Sequence, residues 1–418
     1  MSFPQLRLAS GRHKRLEAGH PWVFSNELKA SGPGAVGPGG AEPGAAEPPE
    51  AGGLVEVCGA DGRTLGVGLY HAHSLIAVRL LAGADRDVTL DVPFFVKRIA
   101  AAQQRRERAL GEAQTGPPAG YRVLHGEADG LPGVVVDRYG SVLVVQVACL
   151  GMEQRKEALY DALERVFAPR AIVERNDTVW RSQEGLEAHV GVVRGALPGE
   201  VTLVEHGLRY AVDVLGGQKT GWFLDQRDHR LAIRPYATGG RVLDLCCYQG
   251  GFTCNALAAG ALSVRAVDVS APALERVAEN AAANGLDGGL TVEQGDVMDL
   301  AGGGPPGGEP FDLVVLDPPN FTRSRKAVPR ARKAYRKLNE AALRWLAPGG
   351  VLATASCSHH IYEDTFLEIL QSAAVRCGRP VRVLYRGFQP ADHPVLLAMP
   401  ETRYLKFYLV QVAWELVP

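Results

Sequence analysis

The stretch RVLDLCCYQGGFTCNALAAGALSVRAVDVSAPALERVAENAAANGLDGGLTVEQGD, residues 241–296, decides the fold. An apolar strand, Arg241–Cys246, runs into a turn with Gly250 and Gly251, and a helix follows at Phe252–Ala259. A strand at Ser263–Asp268, a helix at Ala271–Asn284 and a strand at Leu290–Gln294 come next. Strands separated by helices of this length are βαβ crossovers, which require a parallel sheet. The alternation continues through Phe311–Asp317 (strand), Ala331–Trp345 (helix) and Gly350–Ser356 (strand). Tyr404–Trp414 is a β-rich run suited to an antiparallel edge. The expectation is a doubly wound, Rossmann-like α/β domain over residues 201–418, entered through a hairpin, Val201–Glu205 with Leu208–Leu215.

Upstream, the pattern changes twice. Residues 120–200 read as a small α+β domain, with strands at Tyr121–His125, Gly133–Asp137, Val142–Ala148, Ala171–Glu174 and His189–Arg194 and a helix at Met152–Val166. Before it, 91–112 has helical spacing with a basic face (Lys97, Arg98, Arg105, Arg106, Arg108) and reads as a linker helix. Residues 1–84 form a small, mostly β domain with strands at Gly53–Val57, Thr64–Tyr70 and Ser74–Leu80. It is interrupted by Ser31–Gly53, a Gly/Ala/Pro/Glu tract that cannot bury a core and reads as a disordered insertion.

The 418 residues suit two or three domains, and 45 Lys+Arg against 46 Asp+Glu exclude a wholesale polycation, so any nucleic-acid site must be a local basic patch. No apolar run approaches the ~20 residues of a membrane span, and the N-terminus lacks the apolar segment of a signal peptide. Seven cysteines without CxxC or His/Cys clusters give no zinc-site spacing, so no metal is expected. Free thiols in a reducing cytoplasm are the simple reading.

Doubly wound sheets bind ligands outside the carboxyl ends of their strands. Asp244 ends the first strand, and Gly250 and Gly251 open the next helix, where backbone approaches a ligand closely. Asp268 ends the second strand, placed for ribose hydroxyls, and Asp296 follows the third, within reach of an adenine edge. This is not the GxGxxG fingerprint of dinucleotide enzymes. A Gly-rich first turn with acids after strands two and three resembles the class I S-adenosylmethionine-dependent methyltransferases. Taken singly, each piece has a plain structural explanation: a glycine pair for packing, an acid as a helix N-cap.

The strand Phe311–Asp317 ends in DPPNF, with Asp317, Pro318, Pro319, Asn320 and Phe321. Its prolines rigidify a turn without offering N–H donors. Asp317 is suited to the amino or ring-nitrogen edge of a base, Pro318 to the turn beneath it and Phe321 to an apolar wall. The next parallel strand ends in SCSHH, which sets Cys357 beside Asp317. A thiolate adding to C6 of cytosine makes C5 nucleophilic enough to take a methyl group, so Cys357 is the candidate nucleophile and Asp317 its aid at N3 and N4. Cys246, Cys247 and Cys254 read as apolar fillers, and His359 and His360 as packed or surface residues.

Longer motifs extend the resemblance over nearly the whole chain. GGQKTGWFLDQRDHR (216–230) and HGEADGLPGVVVDRYG (125–140) closely resemble the ribosomal RNA large-subunit methyltransferase I family of 5-methylcytosine enzymes. GRHKRLEAGHPWVFSNEL (11–28) resembles that family's PUA domain, an RNA-binding module. The resemblance implies S-adenosyl-L-methionine as cofactor, with Gln218, Thr220 and Phe223 flanking its methionine part. It further implies that Asp244, Tyr248, Gly250 and Phe252 line the cofactor, with Asp268 on the ribose, Asp296 on the adenine and Asp317 at the shared edge. Cys357 would be the nucleophile. Another group of cytosine-5 RNA methyltransferases carries a second cysteine after the prolines. Asn320 stands there instead, which leaves the base for the C5 proton without an assigned residue.

Thr322–Lys337 carries eight basic residues and no acid directly after DPPNF. Arg323, Arg325, Lys326 and Arg330 are the expected phosphate contacts of a ribosomal RNA, with the basic linker helix and Arg12, Lys14 and Arg15 extending the track. Access of a buried cytosine to Cys357 favours single-stranded or partly folded RNA. The reading allows a homodimer and expects no membrane partner. Two other readings stand beside it: a guanine-nitrogen methyltransferase, which would not need Cys357, and a non-catalytic RNA-binding assembly factor.

Overall fold

The computed structural model describes residues 3–29, 49–84, 88–111, 118–322 and 324–413. The chain divides into two compact units. One comprises Met1–Leu203, Val212–Leu224 and Ala391–Thr402, the other Val204–Ala211, Asp225–Pro390 and Arg403–Pro418.

The first unit contains two sheets. Strands β1 (Gln5–Arg7), β2 (Trp22–Phe24), β3 (Leu54–Cys58), β4 (Thr64–Tyr70) and β5 (Ile76–Gly83), with the single-turn helix α1 (Lys14–Glu17), make a five-stranded sheet of order β1-β3-β4-β5-β2. Val55, Val57, Tyr70 and Val78 are buried in its core with Leu6, Leu8 and Val23. Most of the Gly/Ala/Pro/Glu tract lies outside the described residues. Its last residues are ordered: Gly52 N–H donates to Tyr70 O at 2.7 Å and Gly53 O accepts from Tyr70 N at 2.9 Å, prolonging the β3–β4 ladder.

Helix α2 (Val92–Leu110) is capped by Asp91, which accepts from Phe94 N, and buries Phe95, Ile99 and Ala102. Its expected basic face is largely engaged internally. Arg106 is buried and grips both oxygens of Asp129 at 2.6 Å, Arg105 reaches the same carboxylate at 2.7 Å, and Arg98 donates to Leu81 O. Arg106, being buried, therefore does not extend an RNA track, whereas Arg105 remains exposed. A buried guanidinium needs such a partner, since an unpaired charge in the interior is expensive. Strands β6 (Gly120–His125), β7 (Val134–Tyr139), β8 (Val142–Val147), β9 (Ala171–Asn176) and β10 (His189–Gly195) form the second sheet in the order β10-β9-β8-β7-β6. Between β8 and β9 the expected single helix is two, α3 (Leu150–Glu153) and α4 (Lys156–Phe167), separated at Arg155, whose φ of −122° leaves the helical region. Helix α5 (Val179–Gln183) precedes β10.

The hairpin β11 (Thr202–Glu205) and β12 (Leu208–Ala211) leads to the second unit. There α6 (Arg227–Ala232) and α7 (Arg234–Ala237) precede the alternating series β13 (Arg241–Leu245), α8 (Gly251–Ala258), β14 (Ser263–Asp268), α9 (Ala271–Ala283) and β15 (Leu290–Gln294). It continues as α10 (Val297–Leu300), β16 (Phe311–Leu316), α11 (Val328–Trp345), β17 (Leu346–Ser356), α12 (Glu363–Arg376), β18 (Val381–Gly387) and β19 (Lys406–Val412). The seven strands run β15-β14-β13-β16-β17-β19-β18. The first five are parallel, as the βαβ pattern requires. The order reverses between β13 and β16, so their carboxyl ends flank the switch-point crevice.

Helix α11 forms because Ala331, Tyr335, Leu338, Ala342 and Trp345 recur at helical spacing and are all buried. They pack with Phe366 and Ile369 of α12 over Leu243, Val314, Leu316 and Leu352 of the sheet. Each large aliphatic side chain so buried contributes roughly 1.5–3 kcal/mol. One expectation is corrected. The run expected at the sheet's edge, β19, lies between β17 and β18 and is antiparallel to both. Nearly all of its residues are buried, as an inserted strand requires. The edge is β18, whose residues are mostly exposed and whose arginines masked it as a strand.

Candidate active site

The turn after β13 is held in a costly conformation. Cys246 and Tyr248, neither of them glycine, have φ of 60° and 49°. Residues in this region cost on the order of 1–3 kcal/mol each and persist where their surroundings fix them. Here Cys247 N–H donates to Val267 O at 3.1 Å and Tyr248 N–H to Asp268 Oδ2 at 2.9 Å. Gly250, at φ 81°, caps α8, and a Cβ there would sit 3.0 Å from Val277 Cγ1. Only glycine satisfies both demands.

Three sequence-predicted acids surround this turn. Asp244 is buried; its Oδ2 accepts from Thr253 Oγ1 at 2.6 Å, while Oδ1 faces no donor. Burial raises its carboxyl to about 7, and the charges of Asp317 and Asp268 add to that. Asp268 accepts from Tyr248 N and from Ser270 N at 3.0 Å, so it braces the turn. Asp296 is exposed and caps α10 by accepting from Met298 N at 2.7 Å, the plain structural role such an acid has. Burial, then Asp268, Asp317, Asp244 and Asp296 together push the Cys246 thiol up, so the four carboxylates act on one place. Phe252 is buried in a parallel ring stack, 6.2 Å from Phe407, which lies 4.2 Å from His229.

Asp317 extends β16 at the other side of the crevice. Its Oδ2 accepts from Gln226 Nε2 at 2.8 Å, and Gln226 Oε1 lies 2.5 Å from His229 Nδ1. Burial lowers His229 to about 3, so the ring is neutral, with Nδ1 facing Gln226 Oε1. A buried relay therefore orients Asp317. Pro318 is buried beneath the turn, whereas Pro319 and Asn320 are exposed. Phe321 packs edge-on against Tyr335 at 4.9 Å.

Cys357 follows β17, the strand paired with β16, and is half-buried. Ser358 Oγ donates to Asn320 Oδ1 at 2.6 Å and lies 3.0 Å from the Tyr335 hydroxyl. Burial raises the Tyr335 phenol, with the charge of Cys357 next among the causes. Lys406 Nζ donates to Ser358 O at 2.7 Å. His359 packs against Tyr404 at 5.5 Å between ring centres. Cys247 and Cys254 are buried, and burial pushes the Cys254 thiol up to about 12, as suits inert fillers. Sequence reasoning missed Gln226, His229, Lys406 and Ser358. The first two lie within the 216–230 motif, and nothing in the sequence distinguishes the others.

Gln218, Thr220 and Phe223 belong to the first unit. Thr220 is buried, its hydroxyl donating to Asp137 Oδ2 at 2.6 Å beside the Tyr139 hydroxyl at 2.7 Å. Gln218 is exposed, and the Phe223 ring lies under Lys219 Nζ at 4.3 Å.

In the basic segment, Arg325, Lys326 and Arg330 are exposed; Arg323 lies outside the described residues. Arg332 pairs with Glu368 at 2.7 Å and Lys337 donates to Met298 O. Among the described residues, no three His, Cys, Asp or Glu side chains are grouped to hold a metal ion, and no helix is long and apolar enough to cross a membrane.

Residues 128–391 match the S-adenosylmethionine-dependent methyltransferase family and residues 6–82 a PUA-like domain. The ribosomal RNA large subunit methyltransferase I of Shewanella denitrificans is 38% identical over 410 residues, covering 98% of this chain and 99% of that protein. That of Erwinia tasmaniensis is 39% identical over 411 residues, with the same coverage. The chain belongs to the ribosomal RNA large subunit methyltransferase I family. Its fold is also that of a Streptococcus mutans protein assigned to the S-adenosylmethionine-dependent methyltransferases, with TM-score 0.79 at 20% identity over 98% of this chain and all of that one. A second solved protein, SMU.776, in complex with S-adenosylhomocysteine, gives TM-score 0.81 at 21% identity over the same shares. The doubly wound fold, the PUA-like front end and the S-adenosylmethionine dependence expected from the large-subunit methyltransferase I motifs are thereby established.

Proposed function

We propose that this chain methylates C5 of a cytosine in large-subunit ribosomal RNA, with Cys357 as nucleophile. The observation that carries the reading is the placement of Cys357 and Asp317 after adjacent parallel strands, joined through Ser358 and Asn320. S-adenosylmethionine, when bound, supplies a methyl group on a sulfonium. The acids fit such a cation: Asp244 Oδ1 is buried and lacks a donor, which suits the ammonium of the methionine part. Asp268 would hold the ribose and Asp296 the adenine, with Tyr248, Gly250 and Phe252 lining the site.

The Cys357 thiolate adds to C6, and the electron pair of the C5–C6 double bond moves to C5. Asp317, oriented by Gln226, would give its proton to N3 as charge develops there, accept from the N4 amino group as the resulting carboxylate, and take the proton back when the thiolate leaves. C5 takes the methyl group, the C5 proton leaves to a base, and its electron pair restores the double bond and expels the thiolate. Arg325, Lys326 and Arg330 would hold the RNA backbone, with Pro318 and Phe321 shaping the wall behind the base. Transfer of labelled methyl groups to protein-free large-subunit ribosomal RNA, followed by nucleoside mass spectrometry, tests this. Labelled 5-methylcytidine is expected; a methylguanosine product would overturn it.

A further inference from the structure

A thiol has an ordinary pKa near ~8.5, so a cysteine nucleophile needs a neighbour that favours the thiolate. Resting on the reading of Cys357 as nucleophile, the surroundings of that residue contain one. Lys406 opens β19 and stands opposite Ser356 in the antiparallel ladder, one residue before Cys357. Its side chain is buried, at 3% exposure. Nζ donates to Ser358 O at 2.7 Å and to Tyr404 O at 2.8 Å. An ammonium has three N–H donors, so these two bonds fix the cation against the backbone immediately after Cys357 and leave a third N–H for a further acceptor.

The other ionisable groups facing this place argue the same way. Asp317 at the end of β16 is an acid and would oppose a second negative charge. Tyr335 of α11 is held up as a neutral phenol. Glu363 of α12 is ion-paired with Arg386 and Arg403. Arg403 is exposed, and its pair with Glu363 offsets its charge. Among the described residues, Lys406 is thus the buried cation on this side of Cys357. We propose that Lys406 is a positioning residue that keeps Cys357 ionised and fixes the strand end carrying its sulfur. Burial lowers the Lys406 ammonium to about 8, and the charge of Cys357 opposes that lowering, so the two groups stabilise each other's charged forms.

The test is iodoacetamide alkylation of Cys357 in the full-length protein across pH, followed at the peptide level by mass spectrometry. Lys406→Gln keeps a donor toward Ser358 O without the charge; Lys406→Arg keeps the charge. In Lys406→Gln the alkylation midpoint is expected to rise by about one pH unit, a roughly tenfold smaller thiolate fraction near neutrality. The kcat for methyl transfer should fall alongside and recover as pH is raised, with KM for RNA little changed, and Lys406→Arg should remain near wild type. Cofactor binding and a thermal melt report folding separately. An unchanged midpoint in a folded Lys406→Gln protein overturns the proposal. Turnover retained in Cys357→Ala would instead overturn the nucleophile reading while leaving the alkylation shift intact.

Discussion

The Ser358 hydroxyl donates to Asn320 Oδ1 at 2.6 Å, and this bond joins the loops that follow two neighbouring parallel strands. Asn320 follows the two prolines of the DPPNF turn. Here it ties the DPPNF turn to the Cys357 strand end. Asn320→Ala should therefore lower kcat by about 10–100-fold, because loss of sub-ångström positioning has costs of that order. Cofactor affinity should stay near wild type; calorimetry and single-turnover kinetics check both.

Cys357→Ala should abolish methyl transfer while cofactor affinity remains near wild type. Measuring turnover on ribosomal RNA beside calorimetric titration with S-adenosylhomocysteine decides it. Retained turnover would remove Cys357 from the mechanism.

Gln226 stands between a neutral histidine and Asp317. Gln226→Ala leaves His229 Nδ1 and Asp317 Oδ2 short of a buried partner, a loss of about 1–3 kcal/mol in stability. A denaturant melt should show it, and kcat on RNA should fall more than cofactor affinity does.

Asp244 makes folding and cofactor binding respond to pH in opposite directions. Its folded-state carboxyl is raised to about 7. Its contribution to folding is therefore complete below the ordinary carboxyl pKa of ~3.9 and is lost as pH climbs through 7. The free protein should melt at a higher temperature at pH 6 than at pH 8, and Asp244→Asn should flatten that difference. Affinity for the cationic cofactor should tighten, by roughly tenfold, as Asp244 ionises between pH 6 and pH 7.5.

Arg325, Lys326 and Arg330 are exposed on the segment after DPPNF. Replacing each with alanine should weaken RNA binding and reduce the slope of log affinity against log salt by about one for every phosphate left unneutralised. Arg332→Ala should have less effect, because that arginine already pairs with Glu368. Filter binding across a salt series distinguishes them.

The βαβ series was legible because short β-type segments alternate with segments of helical spacing; Ser263–Asp268 and Leu290–Gln294 coincide with the observed strands. Strand β18 was not, because Arg382 and Arg386 break its apolar pattern at an exposed edge. The positions of Asp244, Asp268 and Asp317 at or beside strand ends could be read from the apolar segments that lead to them. Lys406 could not: a lysine opening a β-rich run looks like a solvated charge, and only the register opposite Ser356 brings it to the strand end that precedes Cys357. Arg106 misled for the converse reason, since a basic residue on a helix reads as exposed until Asp129 is seen beneath it.

The placement of β19 has a consequence for how the protein is made. Strand β18 is synthesised before β19, yet its partner in the sheet is β19. Until Lys406–Val412 emerges, one flank of β17 is bare and Val381–Gly387 has no ladder to join. Growing chains thus carry two unpaired strand flanks, an invitation to pairing with other nascent chains. The same insertion brings Lys406 opposite Ser356, so the pairing of β17 and the seating of that lysine arrive in one folding event.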